Sequence, residues 1–177
     1  MLLALWPAHW SRTQRSNATL VAALVLMALV LALLGQFLSF FPEPIGSNAE
    51  LFSEGALTTL YLTLVSGTVG LLLGTAAALA RTSRLAWLRW VASFYIWAIR
   101  GTPLLVQILF VYFALPVLVP GLNLPDFAAA VVALGLNVGA YNAEAIRAGL
   151  LAVPRGQTEA ARALGLSRTH VFFDVVF

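Results

Sequence analysis

Long stretches without a charged residue dominate the hydrophobic pattern of this chain. The first runs from Thr19 to Phe41 and the second from Ala56 to Ala80. A third fits within Leu104 to Val119, in the charge-free interval between Arg100 and Asp126. A fourth starts at Phe127, reaches Ala143 uncharged, and can continue as helix past Glu144 toward Leu151. A helix that crosses the hydrocarbon core takes about 20 predominantly apolar residues, so the pattern predicts about four transmembrane helices. Pro116, Pro120 and Gly121 mark the end of the third and a turn. The first stretch is too long for the core of a signal peptide, and no A-x-A-like site follows it, which predicts a retained span.

Polar and small positions refine this picture. Ahead of the third span, "LAWLRWVASFYIW" puts Trp87, Trp90, Phe94 and Trp97 on one helical face. This is either an amphipathic helix lying at the membrane interface or an aromatic belt that opens the third span, and the second is preferred. Ser66, Gly70 and Gly74 follow small-xxx-small spacing, with Gly67 adding to that face, and Gly135 and Gly139 repeat it in the fourth span. Such stripes let helix backbones approach closely in lipid. Gln107, Asn137, Tyr141 and Asn142 stand out as polar groups inside spans, with Thr58, Thr59 and Thr63 weaker. They line a solute path or hydrogen-bond between helices. Asn137 and Tyr141 are four apart and share a face. Glu144 and Arg147, three apart, predict an ion pair within one helix.

Composition agrees with a membrane protein. Of 177 residues, 61% are hydrophobic and 10% charged, against about 25% charged in soluble domains, and mean hydropathy is +0.92. Cysteine is absent, which rules out disulfides, thiolate nucleophiles and cysteine-ligated metals. Every basic residue is arginine; a P-loop needs a lysine to reach the phosphates, so the chain cannot build that nucleotide site. His9 and His170 lack ligand-like company, no Ser/His/Asp or paired-carboxylate arrangement occurs at membrane depth, and nothing argues for an enzyme, a metal or a cofactor.

The net charge of +3 is not a nucleic-acid footprint, because the arginines sit at membrane edges. Arg12 and Arg15 precede the first span. Arg81, Arg84, Arg89 and Arg100 lie between the second and third, and Arg147, Arg155, Arg162 and Arg168 follow the core of the fourth. The opposite loops carry Glu43, Glu50, Glu54 and Asp126 and no arginine. The positive-inside rule therefore predicts a cytoplasmic N-terminus.

That orientation leaves "GQTEAARALGLSRTH" in the cytoplasm. Pro154 breaks the exit from the fourth span. "TEAARAL" is a strong helix former, Gly165 stands where a C-terminal left-handed residue belongs, and Ser167 can cap a following helix. A helix this short is marginal alone in water and makes sense if it docks onto a partner.

These residues carry a family resemblance. "EAARALG", Glu159 to Gly165, resembles the E-A-A-x-x-x-G signature of membrane subunits of bacterial ATP-binding cassette importers, in which nine residues and then Ile-x-Leu-Pro follow. Here Val175 stands for the Ile, Phe177 for the Leu, and the chain stops. "RGTPLLVQILFVYFALP", from Arg100, is similar to the hallmark of permeases for polar amino acids. "GAYNAEAIRAGLLAVPRGQTEAARALGLS", Gly139 to Ser167, resembles their stretch leading into the coupling loop, and "GALTTLYLTLVSG", Gly55 to Gly67, their first core span. The resemblance covers about Gly55 to Phe177.

The resemblance implies a bacterial cytoplasmic (inner) membrane permease subunit. It would pair with a second, identical or related, permease and with ATP-binding cassette ATPase subunits. An external solute-binding protein would deliver a polar amino acid. Glu159, Ala160, Ala161 and Gly165 become the ATPase-coupling residues: Glu159 to meet a basic group, the alanines to permit close approach, Gly165 to turn. Arg100, Gly101, Thr102 and Pro103 shape the inner mouth of the third span, and Gln107, Asn137 and Tyr141 are candidates for the solute path.

The expected fold is all-α and polytopic, an incomplete importer bundle plus a cytoplasmic coupling helix. Residues 1–54 would form an N-terminal cytoplasmic segment, an added span and a periplasmic loop. Residues 55–177 would form a permease domain lacking its last spans, expected to be inactive alone. An ion-coupled carrier or channel, or a nonfunctional fragment, are the alternatives. The transported amino acid is not legible in these residues.

Overall fold

The computed structural model describes residues 11–176, which are helical apart from short connections, with no strand among them. His9 and Phe177 lie outside the described residues. Three helical stretches, Arg12–Ser39, Gly46–Thr82 and Asp126–Ala152, are long and apolar enough to cross a membrane, and the bent pair Ala86–Arg100 and Leu104–Leu118 makes a fourth if it counts as one span. The protein is an all-α, polytopic membrane protein, and its chain divides into two compact units after Tyr61.

The first unit holds α1 (Arg12–Ser39), a 3-10 turn (Gly46–Asn48) and the opening of α2 (Ala49–Thr82). Helix α1 starts ahead of Thr19, because a capping box supports its polar first turn. The Gln14 N–H donates to Ser11 Oγ at 3.2 Å, and the Ser11 N–H donates to Gln14 Oε1 at 2.9 Å. No α1 residue is buried; most of its leucines and valines are exposed, from Leu20 to Leu33, while Leu31, Leu34 and Leu38 are half-buried. Gly35 lets it approach α2, since a Cβ there would lie 3.4 Å from Ser53 Oγ.

The second unit contains the rest of α2, then α3 (Ala86–Arg100), α4 (Leu104–Leu109), a π-helical turn (Phe110–Ala114), α5 (Leu115–Leu118) and α6 (Asp126–Ala152). It ends in α7 (Arg155–Ala163) and α8 (Arg168–His170), which runs on as a π-helical turn to Val176. Its core is built from small residues. Along α2 in this unit, Ser66, Gly70, Gly74, Ala77 and Ala78 are buried, and α6 buries Ala129, Ala133, Gly135, Gly139, Ala140 and Ala143. A Cβ on Gly70 would stand 2.7 Å from the Val138 side chain, and one on Gly74 would stand 2.8 Å from the Gly139 carbonyl oxygen. The two backbones touch. Close packing of small residues takes over here because lipid supplies no hydrophobic drive between helices. Gly67 does not join this face: a Cβ there would meet nothing within 4 Å. The interface widens on the other flank of α2, where Val69 lies 3.0 Å from the Cβ position of Gly135 and Leu73 lies 3.1 Å from that of Gly139.

Helix α3 stands apart from the third span, contrary to the preferred expectation of a belt opening that span. It turns by 107° into Leu104–Leu118. Pro103 has no N–H to continue α3 and disfavours helical geometry at Thr102. Ala92 and Ile96 pack with Ala77 and Ala143, while Trp87, Trp90, Phe94 and Trp97 remain 54–71% exposed.

Pro116 does not end the third span, as the sequence suggested. The helix runs through it to Leu118, and the residues just before it widen into the π-helical turn. A proline inside a helix removes one hydrogen bond and crowds the preceding turn; the wider turn accommodates it. Chain reversal comes later, at Gly121 with φ +92°.

Candidate functional site

The Arg100–Gly101–Thr102–Pro103 segment forms the corner between α3 and α4, and Gln107 holds it. A helix end leaves carbonyls without partners, and here side chains take them. Thr102 Oγ1 donates to the Ala98 carbonyl at 3.0 Å. Gln107 Nε2 donates to the Ile99 carbonyl at 2.7 Å and lies 3.0 Å from both the Thr102 carbonyl and Thr102 Oγ1. Its Oε1 accepts from Asn137 Nδ2 at 3.2 Å. Gln107 is buried, at 8% exposure, and joins the corner to α6.

Two of the three candidate path residues, Gln107 and Asn137, thus meet. Tyr141 does not join them; it is 53% exposed, with the Arg100 guanidinium 5.2 Å from its ring centroid. Asn142 lies over Gly74, and Thr59 Oγ1 donates to the Gly55 carbonyl of its own helix at 2.8 Å.

The sequence did not single out Tyr95. Its hydroxyl donates to the Leu136 carbonyl at 2.6 Å, in space that Gly139 leaves open: a Cβ on Gly139 would lie 2.7 Å from that oxygen. The small-xxx-small stripe signalled Gly139 as a contact, but no local pattern paired it with a tyrosine on another helix.

A charged cluster sits where α2 and α6 near their C-terminal ends. The expected Glu144–Arg147 pair forms, with Arg147 Nη2 2.9 Å from Glu144 Oε2. The other carboxylate oxygen is held by Arg81 of α2, a pairing not foreseen. Both charges end their hydrophobic runs at one level, and that matching depth was the available signal. The side chains of Arg81, Arg147 and Glu144 are 27%, 32% and 22% exposed. Arg100 lies within coulombic reach of Glu144. A cleft of about 480 Å³ opens between Arg81, Ser93, Trp97, Arg100 and Glu144.

Beyond α6, Val153 and Pro154 are extended and α7 begins. Its C-terminus forms a Schellman motif. The Gly165 N–H donates to the Arg162 carbonyl at 2.9 Å and the Leu166 N–H to the Ala161 carbonyl at 3.1 Å. Gly165 has φ +81°, as the sequence predicted. Ser167 caps α8, its Oγ accepting from the His170 N–H at 3.3 Å. Helix α7 packs on the turn Val171–Val176, with Ala161 and Val171 buried. Glu159 and Ala160 are exposed, and Glu159 makes no ion pair among the described residues. Of the candidate coupling residues, Ala161 therefore serves the inside of this helix pair, while Glu159 and Ala160 lie on its surface.

Residues 70–177 match the family described as binding-protein-dependent transport system inner membrane component. The L-cystine transport system permease protein of Bacillus subtilis (strain 168) is 44% identical over 126 residues, covering 71% of this chain and 53% of that protein. The arginine transport system permease protein of the same organism is 48% identical over 123 residues, covering 70% and 56%. The glutamine transport system permease protein of Escherichia coli (strain K12) is 44% identical over 119 residues, covering 67% and 54%. The chain spans about half the length of these relatives. A crystal structure of an amino acid ABC transporter with histidines aligns with TM-score 0.66 at 45% identity, covering 74% of this chain and 60% of that one. With more than half of its residues inside the family match, the chain belongs to the binding-protein-dependent transport system inner membrane components.

Proposed function

We propose that this chain is part of the permease subunit of an ATP-binding cassette importer for a polar amino acid, with ATP hydrolysed by a separate partner subunit. The observation that carries the proposal is the pair α7–α8. It is a short, polar, sharply capped unit with Glu159 and Ala160 exposed on its surface, attached by Pro154 to a membrane-spanning helix. Docking of α7 onto the ATPase would pass the nucleotide state to α6, whose packing on α2 and α3 would carry it into the bundle. Gly165 would keep the turn that presents α7.

Relatives named for cystine, arginine and glutamine transport support amino acids as the solute class. The N-terminus would be cytoplasmic, and a second permease and an external solute-binding protein would complete the assembly. Of the proposed path residues, Tyr141 would meet solute, because it is exposed while the Gln107 and Asn137 amides are engaged with each other within the chain. Glu144 is held by two guanidiniums, which favours an ATP-driven device over an ion-coupled one that would titrate that carboxylate.

The test is co-purification of the chain with the ATP-hydrolysing subunit of an amino acid importer. Association is expected for the wild type and is expected to be lost in Glu159→Lys, which puts like charge against a basic site. Unchanged association in that variant would remove the coupling role.

A further inference from the structure

We propose that the cleft between α2, α3 and α6 is a binding site for the phosphate of an anionic phospholipid headgroup. Two guanidiniums, on Arg81 and Arg100, line it beside a single carboxylate, Glu144, and a third, on Arg147, pairs with that carboxylate from its own helix. Among the described residues no other carboxylate pairs with them. The cluster therefore keeps a formal charge of about +2, the balance of three cations and one anion, which attracts anionic headgroups at a membrane surface.

Arg100 is the group poised for the ligand. Its guanidinium lies over the Tyr141 ring, 5.2 Å from the centroid, and Arg100 is exposed; a guanidinium carries its N–H donors in its own plane. Those donors match phosphate oxygens in a two-pronged arrangement. Ser93 adds a hydroxyl to the cleft wall.

The source of the phosphate follows from α3. Its exposed face carries Trp87, Trp90, Phe94 and Trp97, and Trp90 and Phe94 stack with centroids 5.7 Å apart. Exposed tryptophans concentrate at headgroup depth, and an amphipathic helix with this face lies in the interface. Trp97 lines the cleft itself, so acyl chains would run along the aromatic face while the phosphate enters the cleft. A zwitterionic choline headgroup would bring a cation toward the cluster and fit less well.

The proposal that this is the cytoplasmic leaflet rests on the orientation given above. The binding test does not, so the two can fail separately. The chain, purified in detergent with equal phosphatidylglycerol and phosphatidylcholine, would be analysed by native mass spectrometry for retained lipid. Wild type is expected to retain phosphatidylglycerol preferentially. Arg100→Gln is expected to weaken retention about fivefold, the scale of one surface arginine. Arg100→Lys, which keeps charge but not the fork, should fall between, and the exposed Arg84→Gln should match wild type. The variants must elute at the wild-type volume on size exclusion. Equal retention of both lipids, an unaffected Arg100→Gln, or an equal loss in Arg84→Gln would overturn the site. Displacement of the lipid by inorganic phosphate at matched concentration would reassign it to a soluble anion and overturn the lipid source.

Discussion

Gln107 shows how one side chain can set the geometry of a membrane bundle. An amide inside a span is costly unless its donors and acceptor find partners. Here the donors serve the open C-terminus of α3 and the acceptor serves Asn137 on α6. Gln107→Leu keeps the volume but strands the Ile99 and Thr102 carbonyls and the Asn137 amide. Single interhelical bonds in membranes average about 0.6 kcal/mol, and unsatisfied buried groups cost about 1–3 kcal/mol, so the expected loss is about 1–2 kcal/mol. Denaturation of the purified chain in mixed micelles measures it; an unshifted midpoint would mean the corner holds without Gln107. The polar character of this residue was plain in the sequence. Its role was not, because Asn137 lies 30 positions away and either a solute or a neighbouring helix could satisfy an amide.

At the scale of elements, helices α2 and α6 meet through absent side chains. Gly74→Ala places a methyl group 2.8 Å from the Gly139 carbonyl and 3.1 Å from the Ala143 amide nitrogen. Backbone atoms cannot rotate aside, so the helices must separate, at an overpacking cost of about 1–3 kcal/mol. Gly67→Ala, about two turns earlier in open space, should stay within about 0.5 kcal/mol of wild type. Equal effects of the two substitutions in the same unfolding assay would contradict the assigned interface. The stripe was visible in sequence, but Gly67 was wrongly counted into it. Spacing narrows a helix face to an arc, and only the partner helix decides which flank of that arc it covers.

For the whole molecule, the decisive property is how the chain threads the bilayer. Orientation can be tested cleanly because the sequence has no cysteine, so any introduced thiol reports alone. With the N-terminus inside, Ser47→Cys between the first two spans should react with an impermeant maleimide in intact cells. Ser167→Cys, at the cap of α8, should react only after permeabilisation. The reversed labelling would invert the topology and with it the side on which α7 could meet an ATPase. The bundle itself is inside-out relative to a soluble core, with alanine and glycine within and leucine, phenylalanine and tryptophan facing out. Packing between backbones rather than burial of large side chains joins the helices of the second unit.

The sequence by itself determined what acts locally along the chain. Uninterrupted apolar runs specify spans because hydrocarbon excludes charge wherever the chain lies. Pro154, Gly165 and Ser167 specify the stop, turn and cap around α7 because each acts on backbone within a few residues. The Glu144–Arg147 pair was legible for the same reason. Only the tertiary structure decided the pairings between helices: Arg81 with Glu144 across 63 positions, Tyr95 with the Leu136 carbonyl across 41, and the break that sets α3 at 107° to the span after it. A helix offers a full circle of directions. Which residue of a distant helix meets a given side chain depends on crossing angle and depth, and these emerge only when the small-residue faces pack together.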